Sequence, residues 1–145
     1  MKPGYRELRL KQLALILAKF APAKRAPRPA RGWLRAVREA IGVPQQAVAT
    51  AAKVKRQTLI GFEKAEANDR ITLRNLRRVA SAMDCELVYA IVPKTGSIEA
   101  LAEKRARKEA TQRVLSVERT MALEDQAPGG VKDLIEKEIK RTKKR

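Results

Sequence analysis

The chain has 145 residues, of which 44% are apolar, and this is enough for one folded core. It carries 33 lysines and arginines against 16 aspartates and glutamates, which gives a formal net charge of +17. A chain of this charge attracts polyanions whatever its fold. No apolar run is long enough to span a membrane, and no apolar stretch with a cleavage site follows the basic start. We therefore expect a cytoplasmic protein without a membrane segment.

The composition gives little support for catalysis. There is no histidine, only one cysteine and no glycine-rich phosphate loop, and the acidic residues are scattered among lysines and arginines. We expect neither an enzyme nor a bound metal or cofactor. Cys85 cannot form an internal disulfide, and its place before an apolar run favours a small core residue.

Residues 1–31 form the most basic part of the chain. Leucines recur there at helical spacing, which predicts a helix from Tyr5 to Phe20. The following linker reads APAKRAPRPARG, and its three prolines argue against a helix. It follows a DNA backbone through Arg25, Arg28 and Arg31, reaches into a minor groove, or serves as a soluble tether.

A helix is predicted from Gly32 to Ile41, with Leu34, Val37 and Ile41 towards the core and Trp33 beside them, packing on an extension. Two more short amphipathic helices follow in the segment GVPQQAVATAAKVKRQTLIGFEKA, residues 42–65. They are hinged at residues 53–55. This is the layout of a helix-turn-helix that inserts its second helix into DNA.

The first of these two helices opens with Gln45 and Gln46 behind Pro44. Its inward face is predicted to consist of small residues, Ala47, Val48 and Ala51. The second begins near Lys55. Its inward face carries Leu59 and Phe62, which lie three residues apart.

The start of the second helix carries side chains that suit guanine and adenine edges. We expect base contacts from Lys55, Arg56 and Gln57. Contacts to the DNA backbone are expected from four further polar side chains, Gln45, Gln46, Lys53 and Thr58. The alternative is a small helical bundle that never touches DNA, because alanine-rich helix pairs occur in many folds.

The same segment resembles the Xre and Cro-repressor class of helix-turn-helix proteins without gaps. The pattern Gly-x-x-Gln-x-x-x-Ala is met at Gly42, Gln45 and Ala49, and a Glu closes the second helix at Glu63. The resemblance implies a lambda-repressor-like bundle in which Arg38 pairs with Glu63. Two positions depart from the pattern: Lys53 stands where the family usually has a turn glycine, and Gly61 where it often has a base-reading polar side chain.

A fourth helix is predicted from about Thr72 to Met83, with Thr72 as its cap. Its arginines face outward, either as a solvated surface or as phosphate contacts. They are Arg74, Arg77 and Arg78.

Residues 87–92 form a continuous apolar run ended by Pro93, which predicts a strand buried on both faces within residues 85–95. The rest of the chain offers no second convincing strand. We therefore predict that Leu87, Tyr89 and Ile91 pair with the same strand of a second subunit. The alternative is pairing within the chain, with the segment that follows Phe20.

Residues 96–145 form a helical extension. A long amphipathic helix is predicted from Ser97 to about Gln126, and a short one from Val131 to Ile139. Pro128, Gly129 and Gly130 separate them. The tail KRTKKR is predicted to be disordered, with loose DNA contact.

The stretches GWLRAVREAIGV, ITLRNLRRVA, DCELVYAIVP and TMALEDQA, together with the basic arm, look like the mobile mystery protein A family over nearly the whole chain. That family belongs to the Xre-type regulators and is typically encoded beside a Fic-domain protein. The resemblance implies either an autoregulator of a two-gene module or an antitoxin that neutralises a Fic-domain partner, with DNA binding secondary.

Fic inhibitors carry Ser or Thr, three residues, Glu and then Gly or Asn, and residues 120–125 read TMALED. Thr120 and Glu124 fit this pattern, whereas Asp125 does not. The resemblance would make Glu124 the residue that blocks the partner. The alternative is an ordinary helix end with exposed acids.

Taken together, the patterns predict a mainly α protein with one intersubunit strand. Its domains are an arm at 1–31, a helix-turn-helix domain at 32–84, a dimerisation strand at 85–95 and a helical extension at 96–145. The leading function is a repressor of its own operon that binds a palindromic operator as a homodimer.

Overall fold

A computed structural model of the chain describes residues 2–123 and 131–144. The described residues contain seven α-helices, and none of them is long and apolar enough to cross a membrane. In chain order the helices are α1 (Pro3–Ala18), α2 (Trp33–Ala40), α3 (Gln45–Ala51), α4 (Arg56–Ala67), α5 (Leu73–Ala82), α6 (Ile98–Leu123) and α7 (Val131–Lys143).

The chain divides into two compact units. The central unit is Arg25–Tyr89, and the flanking unit comprises Met1–Lys24 and Ala90–Arg145. The central unit contains α2 to α5, and the flanking unit contains α1, α6 and α7. The helix-turn-helix segment therefore lies within a unit that has its own apolar core.

All four helices of the central unit contribute apolar side chains to its core. Its largest fully buried side chains are Leu59, Val48 and Val79. The buried residues are Val48 and Ala49 on α3 and Ala52 directly after it, whereas the predicted inward residues Ala47 and Ala51 are exposed. The correction follows from the register of the helix, because positions 48, 49 and 52 share one face.

Two apolar residues at the ends of α2 also differ from prediction. Trp33 and Ile41 are each about half exposed, at 50% and 51%. Leu34 is the one fully buried apolar residue of the helix. The reason is that α2 has only eight residues, so only a narrow strip of its surface faces the core.

The start of α2 is capped by a carboxylate from another helix. Gly32, the residue before the helix, has no capping side chain of its own. The buried Glu66 of α4 instead accepts hydrogen bonds from the amides of Trp33 and Leu34, at 2.8 and 3.0 Å. A Cβ on Gly32 would collide with the Glu66 carboxylate, and Gly32 has a φ of 86°. Glycine is therefore required here by both space and backbone.

The turn between α3 and α4 is held from outside by α5. Lys53 has a φ of 58°, so it occupies the left-handed conformation that glycine usually adopts in such a turn. Arg78 of α5 donates from Nε to the carbonyl of Ala52 at 2.8 Å and from a terminal nitrogen to that of Lys53 at 3.2 Å. A guanidinium is well suited to the carbonyls at a helix end.

The start of α5 and the linker show how local residues set helix ends. The Thr72 hydroxyl accepts a hydrogen bond from the Asn75 amide at 3.2 Å, as a helix cap does. In the linker, a short 3-10 helix spans Ala21–Arg25, although the prolines argued against any helix. Pro22 lies in its first turn, where a backbone N–H is not needed.

The predicted strand is not found among the described residues, and this prediction is corrected. Residues 85–93 form neither helix nor strand. The run is also not buried: Leu87 is half-buried, and Tyr89 and Ile91 are 56% and 89% exposed. A strand needs a neighbour to complete its hydrogen bonds, and within this single chain the segment has none among the described residues. Cys85, expected in the core, is exposed as well.

The flanking unit is a helical hairpin of α6 and α7 with α1 packed on α6. Its buried residues are small or branched: Ala106, Ala110, Val114, Ile139 and Thr142. Ser97 caps α6 by accepting a hydrogen bond from the Ala100 amide at 3.1 Å.

Most of the tail predicted to be disordered belongs to the last turns of α7. That helix continues to Lys143, which pairs with Glu103 at 3.3 Å. The buried Thr142 shows that the end of α7 still faces α6. The amphipathic pattern therefore extends one turn further than the sequence indicated.

The cap on α2 gives a testable prediction. Replacing Glu66 with Ala leaves two amides at the helix start without an acceptor, so the free energy of unfolding should fall by about 1 to 3 kcal/mol. Trp33, the only tryptophan, reports the unfolding of the central unit through its fluorescence in urea. Glu86→Ala removes an exposed carboxylate and should leave the midpoint unchanged. Equal midpoints for both variants would show that the cap is not stabilising.

Candidate nucleic-acid interface

The amino end of α4 presents a row of exposed polar side chains. Lys55 precedes the helix in an extended conformation, and Arg56, Gln57 and Thr58 make its first turn. All four are exposed, whereas Leu59 on the opposite side is fully buried. The predicted base-reading residues thus lie together at a helix end whose unpaired amides favour a nearby phosphate.

The two glutamines at the start of α3 have different surroundings. Gln46 is exposed, and its amide nitrogen lies 3.3 Å from the Thr50 hydroxyl, one turn along the same helix. Gln45 is half-buried and points towards α4. Gln46 is therefore available to a phosphate, whereas Gln45 is engaged within the domain.

A buried ion pair joins α2 to α4. The Arg38 Nε lies 2.5 Å from Glu63 Oε1, and a second guanidinium nitrogen lies 3.3 Å from Oε2. The two side chains are only 10% and 7% exposed. The hydrogen bond to Glu63 raises the pKa of Arg38 above its ordinary value, despite the opposing effect of burial. The structure thus brings together the two residues that the family resemblance pairs.

The ion pair continues as a chain of polar contacts to the surface. Gln45 donates from its amide nitrogen to Glu63 Oε2 at 3.5 Å and accepts from Arg56 at 3.4 Å through its amide oxygen. Arg38, Glu63, Gln45 and Arg56 therefore form one connected row. The role of Gln45 inside the domain could not be predicted from the sequence, because the row joins three helices.

The arm residues differ in how they are engaged. Arg28 pairs with Asp69 at 2.6 Å and donates to the carbonyl of Glu66 at 2.6 Å, so it closes the carboxyl end of α4. Its contacts are structural ones within the central unit. Arg25 and Arg31 are exposed. Any phosphate contact by Arg28 would have to compete with these two bonds.

The three outward arginines of α5 also have distinct roles. Arg78 holds the turn after α3, as described above. Arg77 donates to the Tyr89 hydroxyl at 3.1 Å, and its guanidinium carbon lies 5.4 Å from the ring centroid. This contact ties the extended segment to α5. Arg74 is exposed.

The residues of the Fic-inhibitor pattern are described only in part. Thr120 is exposed near the end of α6, where its hydroxyl donates to the Ser116 carbonyl at 3.0 Å. Glu124 lies outside the described residues. Binding of a Fic-domain partner therefore stays a prediction that rests on resemblance.

The buried ion pair gives the second testable prediction. Glu63→Ala leaves the Arg38 charge buried without its partner, which should cost about 3 to 5 kcal/mol of unfolding free energy. The matched control is Glu39→Ala. Glu39 pairs with Arg35 at 2.7 Å and also lies 3.9 Å from a terminal nitrogen of Arg38. The hydrogen bond from Arg35 lowers the pKa of Glu39, but the carboxylate is exposed and solvent screens both pairs, so we expect little change.

Chemical denaturation followed by Trp33 fluorescence measures both variants. Replacing the pair together, as Arg38→Met with Glu63→Leu, should recover much of the loss, because no charge is then left unpaired. A Glu63→Ala midpoint equal to that of the wild type would contradict a stabilising role for the pair.

The comparison with family models agrees with this geometry. Residues 34–89 match the model described as helix-turn-helix. No match was found among curated proteins or among solved structures. The match begins within α2 and ends at Tyr89, so it covers α3, the turn and α4 in full. Residues 34–89 are therefore a helix-turn-helix domain of the Xre-like type.

Proposed function

We propose that the protein is a sequence-specific DNA-binding regulator that reads DNA with the amino end of α4. The observation that carries the proposal is the exposed row Lys55, Arg56 and Gln57, held on a helix whose other side is buried in the core. The match to a helix-turn-helix model and the net charge of +17 support it.

The proposed division of labour follows from side-chain chemistry. Arg56 suits the two acceptors of a guanine edge, and Gln57 suits the donor and acceptor of an adenine edge. Gln46, Lys53 and Thr58 would contact the DNA backbone and set the register. Gln45 would hold Arg56 in position through their 3.4 Å contact, so that less side-chain freedom is lost on binding.

We further propose that two copies bind a palindromic site by pairing their extended segments. Residues 87–91 make no backbone hydrogen bonds to other described residues, and Val88, Tyr89 and Ile91 are each more than half exposed. The segment from 85 to 93 has a single charged residue, Glu86, so two copies would not repel one another there. An antiparallel ribbon of two such segments would complete both sets of backbone hydrogen bonds.

The biological role that fits this arrangement is repression of the protein's own operon. A dimer on a palindrome overlapping a promoter would exclude the polymerase. Footprinting the purified full-length protein on the DNA upstream of its gene tests this role. Protection of a two-fold symmetric sequence is expected, and uniform protection without a site would contradict it.

The base-reading assignment gives the third prediction. Arg56→Ala or Gln57→Ala should each cost about 1 to 3 kcal/mol on the footprinted site and much less on random duplex DNA. The measurement is a titration of both duplexes at one fixed salt concentration. Arg105→Ala removes an exposed charge outside the helix-turn-helix domain and serves as the control for net charge. If Arg56→Ala weakens both duplexes equally, Arg56 contacts phosphate instead of a base.

The fourth prediction concerns the extended segment. Tyr89→Pro removes a backbone donor, so sedimentation should show monomer and affinity for the palindrome should fall, while helical content is kept. Tyr89→Ala loses the same contact with Arg77 but keeps the donor, and it separates the two effects. Wild-type protein that sediments as a monomer at micromolar concentration and still protects a full palindrome would contradict pairing through this segment.

A further inference from the structure

Gly61 lies in the interior of α4 at an exposed position. A Cβ at this position would meet no atom of the described residues within 4 Å, and the φ of Gly61 lies outside the positive range that favours glycine. Neither packing nor backbone conformation of this chain therefore requires glycine. Among ordinary residues, glycine is the least favourable in a helix interior after proline.

The other glycines among the described residues have explanations within the chain. Gly32, Gly42 and Gly96 have positive φ angles, and Gly32 also meets the Glu66 carboxylate. Gly4 lies in the first turn of α1, where helix residues are loosely held in any case. Gly61 differs from all of them. It destabilises the middle of a helix, and neither the packing nor the backbone conformation of this chain explains why glycine stands there.

The position of Gly61 on α4 indicates why the absence of a side chain matters there. It follows Gln57 by one helical turn and precedes Lys64 by three residues, so these exposed residues share the outward side of α4. This is the side that would face DNA if the amino end of the helix reads bases. A side chain at position 61 would stand between the helix backbone and the groove.

We infer that Gly61 is a close-approach position, at which the bare backbone of α4 lies against the floor of the major groove. This inference rests on the proposed DNA binding. It adds a residue that determines affinity for DNA without making a polar contact of its own. The major groove admits an α-helix with little room to spare. Close approach at Gly61 brings the side chains of the first turn within reach of base edges.

The inference predicts opposite effects on stability and on binding. Gly61→Ala should raise the melting temperature by a few degrees, because alanine is the better helix former and the site has space for its Cβ. The same variant should bind its DNA site more weakly. Gly61→Leu should lose more, at least tenfold in affinity, because its side chain is larger.

The test uses full-length protein and a duplex selected from a random library by the wild type, with an unselected duplex for comparison. Melting temperature and helical content are measured for each variant alongside affinity for both duplexes. Ser81→Leu places the same leucine side chain at an exposed position of α5 and should change affinity little.

The outcomes separate the inference from the proposed function. If the wild type selects no sequence, the proposed function fails and the inference fails with it. If the wild type selects a site and folded Gly61→Leu binds it within about twofold of wild type, only the inference is overturned. Should Gly61→Leu fail to fold, Gly61→Ala decides: a variant that is more stable and weaker in binding supports close approach, and one with unchanged affinity overturns it.

Discussion

The buried pair between Arg38 and Glu63 is the interaction on which the rest of the domain depends. It fixes α2 against α4 at a point where both side chains are about nine-tenths buried. Moving α2 away from α4 at this point would leave a buried charge without its partner, which is costly. Through Gln45 the same carboxylate also reaches Arg56, so the position of α4 and the placement of the Arg56 side chain are linked.

Three helix ends of this small domain are closed by side chains from distant parts of the chain. Glu66 closes the start of α2, Arg78 the end of α3 and Arg28 the end of α4. Short helices leave a large share of their backbone groups without partners, so each such contact matters more here than in a long helix. The first turn of α4, by contrast, is exposed. The free backbone amides at such a helix start favour a nearby anion.

The segment after α5 shows the opposite situation, with apolar residues left exposed. Arg77 holds Tyr89 against α5, but the backbone of residues 85–93 has no strand partner among the described residues. An apolar run that remains uncovered in a single chain is either a liability or an interface. A second copy of the same segment would supply the missing hydrogen-bond partners and cover the exposed side chains. For this reason dimerisation is part of the proposed function.

The sequence by itself determined the helical periods, the helix-turn-helix segment and the starts of α3, α4 and α5, because local residues such as Pro44 and Thr72 set them. It could not determine the strand, since apolar residues in a row predict burial only if a partner is present. It also missed Glu66, Arg78 and Gln45 as structural residues. Their partners lie on other helices, many residues away along the chain, and only the tertiary packing brings them within hydrogen-bond distance.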